Sequence, residues 1–537
     1  MTNTNAYPTT APSITDTPMN RTATARTPFD RLQPFAPSLS KRRALAPLLA
    51  ALVLAGCATA PVELPAVPTP ARFKEALPAS QTATEGRWTE AAVAEAQPRG
   101  EWWKAFQDPV LDALVAQAGE ANTSLQQAAA RVRQARALLR NAEADRSPQL
   151  GLVGGATRQR GLDRNQSTQP STLLNAGISA SWELDLFGRL SRLQDAAALD
   201  AQGREALLQS TRLMVQAEVA QTYLALRAAD EERALVRDGV AAYRDTLRLT
   251  QRREQAGDVA ALDVARMQAE VSANESEALA LDRQRAELEH ALAVLVGRAP
   301  ADFGIGVDRW QTALPVVPAG VPSTVLLRRP DVAAAQAAVL AAQARVGAAQ
   351  AAYFPDIALT AGGGFASPEL GDLFKWSVRS WGVGALLSLP LLDGGRRAAG
   401  VAQAAGVFDE AAAGYRAQSL IAFREVEDQL SGLRLLKEQA SAQATAVEAA
   451  ARAMQLSDTR YRNGYISQLD LLDARRSELR NRRQALQVRS AQYQATVALV
   501  RALGGGWGGS PVAAAPSSST TAATDMAAAA LVKKDGS

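Results

Sequence analysis

The sequence predicts a mixed α/β membrane protein built from a tandem structural repeat, with long helices and short β-hairpins alternating along the chain. Three observations predict it. First, landmarks recur at one constant offset: Gly188-Arg189 returns as Gly395-Arg396, and 395 − 188 = 207. Pro148 and Pro355, Gly257 and Gly464, Leu262-Asp263 and Leu469-Asp470, and Gly297 and Gly504 keep the same spacing. Such self-similarity marks a duplicated supersecondary unit. Second, the stretch from Ser191 to Gln255 contains no proline and only Gly203 and Gly239. As one helix it would be roughly 100 Å long, more than an ordinary globular domain uses. Third, four segments of strand length and weak dyad alternation, rich in Gly, Ala, Ser and Thr, carry the per-segment signature of a membrane β-barrel.

Composition narrows the chemistry before any element is placed. The chain has 537 residues and a net charge of only +4, which gives little reason to expect nucleic-acid binding. One His and one Cys nearly remove metal clusters, thiol chemistry and histidine acid/base catalysis. The single histidine, His290, lies alone on a Leu/Ala helix and reads as structural or solvent-facing, without metal partners.

The chain opens with a segment read as non-structural, residues 1–40, rich in Thr, Pro and Arg. Lys41-Arg42-Arg43 then precede the uncharged stretch Ala44 to Gly56, which ends in Leu54-Ala55-Gly56-Cys57. A basic region, an apolar region and small residues before a cut site form a secretory signal too short to span as a transmembrane helix. The ending resembles a bacterial lipoprotein signal. That resemblance implies cleavage before Cys57 and acylation of Cys57, and Ala58 after it favours the outer membrane; a buried or free cysteine is the plainer alternative. Residues 1–56 are thus expected to be leader and signal peptide. Residues 57–99, dominated by Pro and Ala from Pro61 onward, read as an extended, lipid-anchored leader.

The first copy, residues 100–300, is expected to begin with a helix from Asp108 to Arg146; the second, residues 321–504, with one from Asp331 to Tyr353. Arg329-Pro330-Asp331 is a helix start, and Pro148 and Pro355 are stops. Strands are expected at Gln149–Gln159 and Asn175–Leu186, and again at Asp356–Ala366 and Trp381–Leu391. Trp182, Phe187, Phe365, Phe374, Trp376 and Trp381 lie on or beside them, a concentration that fits interfacial anchoring in a chain only 5% aromatic. Two soluble hairpins packed on the helices remain the alternative. After Gly188 and Gly395 the helical period returns: Val219, Tyr223 and Leu226 in the first copy match Val426, Leu430 and Leu433 in the second, preceded by Phe423, a coiled-coil seam. Gly257 and Gly464 break the pattern, and further helices follow from Ala260 to Val296 and from Gln468 to Leu503. Residues 505–537, Gly-rich and then Ala, Ser and Thr, read as a disordered tail.

Each unit is therefore helix, hairpin, long helix, turn, helix, with both hairpins at one end and both glycine turns at the other. Four strands cannot close a barrel, whose smallest common form has about eight, and an open edge cannot face lipid. Strands placed in a membrane thus require an oligomer.

The far turn of the second copy reads Arg460-Tyr461-Arg462-Asn463-Gly464, then Leu469-Asp470-Leu471-Leu472-Asp473-Ala474-Arg475. Asp470 and Asp473 are i, i+3 neighbours, and Asp263 occupies the matching place in the first copy. Around an axis such carboxylates form rings that concentrate cations and, with Leu469, gate a pore. Helix-start carboxylates with Arg462 and Arg475 as routine partners are the alternative. The pair does not suggest a hydrolase, because nothing around it supplies a cleft or an apolar pocket. Gly362-Gly363-Gly364 is no phosphate loop: no Lys-Ser/Thr follows, and it lies inside a strand, where close backbone approach or a small lipid-facing residue fits better.

Several motifs together resemble the TolC-type outer-membrane efflux proteins, specifically the lipoprotein branch that serves tripartite resistance-nodulation-division pumps. They are the LAGC box, Trp102-Trp103-Lys104-Ala105-Phe106-Gln107-Asp108-Pro109, Glu183-Leu184-Asp185-Leu186-Phe187-Gly188-Arg189, Leu327-Arg328-Arg329-Pro330-Asp331-Val332, Leu391-Leu392-Asp393-Gly394-Gly395-Arg396 and RYRNG…LDLLDARR. The resemblance implies a homotrimer in which a long α-helical coiled-coil barrel crosses the periplasm and a transmembrane β-barrel is shared by three protomers. It implies a passive exit channel for small molecules such as drugs, not an enzyme, with no cofactor and no metal. Its partners would be a periplasmic adaptor (membrane fusion) protein and an inner-membrane pump. By position, Leu469 and Asp473 match a constriction of the lipoprotein branch, and Asp470 and Asp473 match the double aspartate ring of the wider family. Tyr461 and Arg462 match residues that tie helix pairs together at the tip, and adaptor docking would release them. Ile466 stands where some relatives carry a basic residue. A duct for type I protein secretion would share this fold, and a periplasmic coiled-coil adaptor would share the long helices.

Overall fold

The computed structural model describes residues 68–75, 87–88, 100–160, 170–317, 322–505 and 507–508. Cys57, the signal peptide and most of the leader and tail lie outside these residues. The duplication is visible in the element bounds themselves. Helix α1 (Pro109–Ala121) precedes α2 (Thr123–Ala144), strands β1 (Gln149–Gln159) and β2 (Ser171–Leu184), the long helix α3 (Arg189–Gln255) and α4 (Ala261–Leu295). The second copy has α5 (Pro330–Ala351), β3 (Asp356–Ser367), β4 (Arg379–Ser388), the long helix α6 (Arg396–Arg462) and α7 (Gln468–Ala502). Helices α2 and α5, α3 and α6, and α4 and α7 start and stop at the same offset of 207, for example 396 − 189 = 207 and 462 − 255 = 207.

The expected continuous first helix is in fact two. Asn122 interrupts it: its side-chain oxygen accepts the Ser124 and Leu125 N–H groups at 2.9 and 3.2 Å, starting α2 afresh. Its amide nitrogen donates to the Leu295 carbonyl at 2.8 Å, fastening the break to the end of α4. A lone Asn in a polar helical pattern does not announce this, because the deciding partner is 173 residues away. Strand β2 also begins four residues earlier than its sequence suggests, at Ser171 rather than Asn175. Arg87–Trp88 forms a short antiparallel pair with Trp507–Gly508, so at those residues leader and tail are joined by backbone bonds.

The four long strands form one antiparallel sheet in the order β1-β2-β3-β4. Each strand continues a helix, α2 into β1, β2 into α3, α5 into β3 and β4 into α6. The helices accordingly pack in the same order, α2 on α3, α3 on α5 and α5 on α6. Further from the sheet α4 packs on α3, and α7 packs on both α3 and α6. Helix α5 has the length and apolar composition of a membrane span, yet it packs between α3 and α6 in this layer. Helices α3 and α6, 67 residues each, make the body about 100 Å long.

Register assigns the faces of the sheet. Leu152 opposes Ile178, Ile178 opposes Gly363, and Gly363 opposes Trp381, so these four share one face. With them on that face lie Leu150, Leu174, Ala180, Trp182, Ile357, Leu359, Ala361, Phe365, Val383, Ala385 and Leu387. The other face is mostly polar and small, with Thr157, Asn175, Ser179, Ser181, Thr360 and glycines, but it also carries Val153, Leu173 and Leu386. Strands β1 and β4 are exposed along their whole length, and each leaves one edge unpaired. Gly364 is needed for close approach: a Cβ there would lie 2.5 Å from the Gly177 Cα.

Where strand becomes helix, a carboxylate caps each long helix. Asp185 accepts the Leu190 and Ser191 N–H groups at 2.9 and 2.7 Å. Asp393 accepts those of Gly395 and Arg397 at 3.0 and 3.2 Å. Burial pushes the Asp185 carboxyl up, but the two backbone N–H groups, the Ser191 hydroxyl and Arg146 outweigh it and hold it below the usual carboxylate range.

The main core lies near the middle of the long helices. Trp102, Phe106, Leu111, Val219, Tyr223, Leu226, Leu292, Trp310, Tyr493 and Val497 pack into one cluster, each large side chain worth roughly 1.5–3 kcal/mol of burial. A buried polar network runs beside it. Asp108 caps α1 and also accepts the hydroxyls of Tyr223 and Thr312, both at 2.8 Å. The Asp230 carboxylate, 1% exposed, meets Arg227, Arg233 and Arg285 at 3.4, 3.2 and 2.9 Å. In the second copy, Arg329 joins Asp331, Glu425 and the Ala502 carbonyl. Gly504 closes that junction at φ +83°, and a Cβ there would sit 2.9 Å from the Arg328 carbonyl carbon and oxygen. Gly504→Ala is therefore expected to destabilise the folded protein by more than ~1 kcal/mol, combining positive φ with a backbone clash. Thermal inactivation of the purified protein checks this; an unchanged midpoint would refute it.

Candidate functional site

At the end opposite the sheet, each long helix stops at a glycine that the backbone requires. Gly257 and Gly464 have φ +82° and +78°. The next residue reaches back to close each helix, Asp258 N–H to Arg253 O at 2.8 Å and Tyr465 N–H to Arg460 O at 2.9 Å. The two turns are equivalent in backbone and unlike in side chains.

In the second copy, Ser467 and Asp470 form a reciprocal capping box: Asp470 N–H donates to Ser467 Oγ at 3.2 Å, and Asp470 accepts the Ser467 N–H at 3.1 Å. The Asp470 carboxylate is thereby committed to starting α7. Leu469 and Asp473, one turn apart on that helix, are 45% and 66% exposed, the latter for its side chain alone. Asp473 has one loose cationic neighbour, Arg476 at 3.8 Å. In the first copy Asp263 stands alone in the first turn of α4, 3.8 Å from Arg266.

Tyr461 is buried, with the Arg253 guanidinium 5.1 Å from its ring centroid, so it joins the ends of α3 and α6. Arg462 stays on its own helix, paired with Asp458 at 2.7 Å. Arg475 also crosses between copies. It donates to the Ala242 carbonyl at 3.2 Å and to the Thr246 hydroxyl on α3, and it meets Asp458 on α6 at 3.4 Å. Beside it Arg476 Nε donates to Glu270 on α4 at 2.9 Å. Tyr243 lies between these arginines, and burial, reinforced by Glu270, raises its hydroxyl to about 12, so it stays neutral. The LDLLDARR motif contains Arg475 and Arg476, but nothing local distinguishes them from routine helix-surface arginines. Their partners Ala242, Thr246 and Glu270 are more than 200 residues away.

The arrangement has three parts: a sheet with one apolar face and open edges, helices about 100 Å long, and a tip where exposed Leu469 and Asp473 sit beside a pinned arginine.

Known proteins share this arrangement. The family described as outer membrane efflux protein matches residues 114–298 and 321–505. The solvent efflux pump outer membrane protein SrpC of Pseudomonas putida is 33% identical over 466 residues, covering 86% of this chain and 98% of its own. The cation efflux system protein CusC of Escherichia coli O6:H1 is 30% identical over 467 residues, covering 86% and 98%. The solved structure of the outer-membrane channel OprN superposes with a TM-score of 0.77 at 29% identity, covering 84% of this chain and 99% of that one.

Proposed function

The chain belongs to the outer membrane efflux protein family, and on that premise we propose how it works as the outer-membrane exit channel of a tripartite efflux system. The observation that carries the proposal is the sheet. Four strands with a continuous apolar face and two unpaired edges are stable in lipid only when other copies complete the barrel. Three copies would supply twelve strands and prolong them into a helical tunnel through the periplasm. Leu469 and Asp473 would then form rings at its far end, with Asp470 and Asp263 beside them, and Arg475 and Tyr461 would hold the helix pairs closed until a periplasmic adaptor docks. Arg462 would act there by fixing Asp458 for Arg475. An inner-membrane pump supplies the energy; the duct itself is passive.

Cargo selection belongs elsewhere in the assembly. SrpC is named for solvents and CusC for cations, and the chain resembles both to a similar degree, which supports a duct that accepts small molecules without choosing them. Deleting the gene should sensitise cells to small toxic compounds, and restoring it should reverse the effect; unchanged susceptibility to a broad panel would count against efflux. Cys57 is proposed to carry the lipid anchor. Cys57→Ala should abolish labelled-palmitate incorporation while still allowing oligomers, and retained label would show acylation elsewhere.

A further inference from the structure

The apolar face of the sheet stops short of its outer end, the end away from the helices. On β1 the positions that share a face with Leu150 and Leu152 lead, two residues at a time, to Arg158, which opposes Thr172. On β4 Leu387, Ala385, Val383 and Trp381 lead to Arg379, which opposes Phe365 of β3. Arg158 and Arg379 therefore lie on the face that an exit channel turns to lipid, just past its apolar part. Arg160 follows β1 directly, and Lys375 stands shortly before β4. We propose that these four basic side chains, with Trp376 and Trp381, bind the phosphorylated headgroup of an outer-leaflet lipid. The inference rests on the outer-membrane, oligomeric reading above and adds a lipid that the outer rim holds.

Three observations support it. The first is depth. From Ile357 to Phe365 the apolar face of β3 advances 365 − 357 = 8 residues, about 27 Å along the strand at ~3.4 Å per residue. With a tilt of about 40° that is roughly 21 Å across the membrane, close to the ~25 Å apolar band of a membrane barrel. Arg379, opposite Phe365, stands at the boundary where headgroups lie. The second is charge. Among the described residues the outer end carries Arg158, Arg160, Lys375 and Arg379 against Glu369 and Asp372, so cations exceed anions. Lys375 takes up Asp372 at 2.5 Å, and the side chains of Arg158 and Arg160 have no ionic or hydrogen-bonding partner among the described residues. At the inner end Glu183 pairs with Arg189 and Asp393 with Arg397, both at 2.6 Å, so carboxylates there answer the guanidiniums. An arginine at the membrane boundary without a carboxylate is open to an anion from outside the chain, and its fork suits phosphate.

The third is the connection between β3 and β4. Arg379 donates to the Trp376 carbonyl at 3.1 Å, and its guanidinium lies 4.5 Å from the Trp376 ring centroid. The guanidinium is thereby set beside an indole that is 73% exposed. Phe374 packs edge-on against Phe365 at 5.9 Å and holds the connection against the apolar face. Indoles settle at headgroup level, and basic side chains reach outward past them. The combination fits an acylated, phosphate-bearing glycolipid of the kind that forms the outer leaflet of a bacterial outer membrane. A free anion would leave the aromatic rings uncovered. In a closed barrel β1 and β4 are the strands at which copies meet, so Arg158 and Arg160 come to the same junction as Lys375 and Arg379.

Native mass spectrometry of the purified full chain in detergent, titrated with lipid A, tests this. Diphosphoryl lipid A should bind at least ~tenfold more tightly than the same lipid with its phosphates removed. Inorganic phosphate at millimolar concentration should not compete. Arg158→Gln, Arg160→Gln and Arg379→Gln combined should weaken binding of the diphosphoryl form at least ~tenfold. Arg248→Gln, Arg283→Gln and Arg452→Gln, exposed positions on the helical body, change the net charge equally and should leave binding as it was. Equal affinity with and without phosphates, or the same loss in both triple variants, overturns the inference and leaves the exit channel standing. Competition by inorganic phosphate would reveal a free-anion site and overturn the lipid assignment. The phosphate comparison uses the unsubstituted protein, so it decides the question even where a triple variant fails to assemble. A chain that stays monomeric overturns the oligomeric reading and the junction site with it.

Discussion

Replacing Asp230 with alanine should be among the most damaging single changes in the helical body, costing about 3–5 kcal/mol. The carboxylate is almost completely enclosed, and Arg227, Arg233 and Arg285 converge on it from α3 and α4. Without it three guanidiniums share a desolvated space with no common anion. Arg233 keeps Asp282 and Arg285 keeps Glu289, which limits the loss but does not replace the shared partner. Arg227 and Glu289 also hold the connector between the copies, through the Gly306 carbonyl at 2.8 Å and the Ile305 N–H at 2.6 Å. The damage should therefore spread to the segment that leads from α4 to α5. Unfolding of such a membrane protein is best followed as a rate, and if the loss appears there the rate should rise at least ~hundredfold. Asp230→Asn, which keeps an acceptor without the charge, should fall between. The exposed pair Arg248–Asp245 is the control: Arg248→Ala should change stability by less than about 1 kcal/mol. A similarly small effect for Asp230→Ala would mean that water reaches the network.

Opening of the tip should be the largest functional effect. Leu469→Ala and Asp473→Ala each remove an exposed group from the proposed constriction without disturbing a helix cap, and should raise single-channel conductance in planar bilayers roughly two- to tenfold. Arg475→Ala should add to either, because it frees α7 from the Ala242 carbonyl, from Thr246 and from Asp458. Asp470→Ala should behave differently. Its carboxylate is held in the capping box, so the expected cost is about 1 kcal/mol of helix stability with a smaller change in conductance. The contrast between two aspartates three residues apart separates a gate from a set of helix-start carboxylates. Equal, unchanged conductance for Leu469→Ala and Asp473→Ala would remove the gate from this turn.

Much of the architecture is legible in the chain because the duplication is nearly free of insertions. Pro148, Gly188, Gly257 and Gly297 punctuate one copy and their partners at +207 punctuate the other; the positive φ of these glycines in both copies explains why spacing alone revealed the elements. The long helices could be read from the absence of proline, and the strands from length and small residues. Three things resisted. Asn122 breaks a helix because of a carbonyl 173 residues away. Arg475 and Arg476, together with Tyr461 and not Arg462, carry the contacts between the copies at the tip, to Arg253, Ala242, Thr246 and Glu270 of the other copy. The apolar face of the sheet was faint within each strand, since β1 and β3 are diluted by glycine, and it emerges only when four strands are set in register.

The sequence by itself determined the repeat, the order of its elements and the glycine stops. Local propensity and spacing decide these, and both are properties of short segments. Only the tertiary structure decided which charged residues meet: Asp230 with three arginines, Arg475 with a backbone carbonyl of the other copy, and Asp470 with its own helix cap rather than with Asp473. Ion pairs and caps depend on distances of about 3 Å between groups far apart in the chain, which no periodicity records.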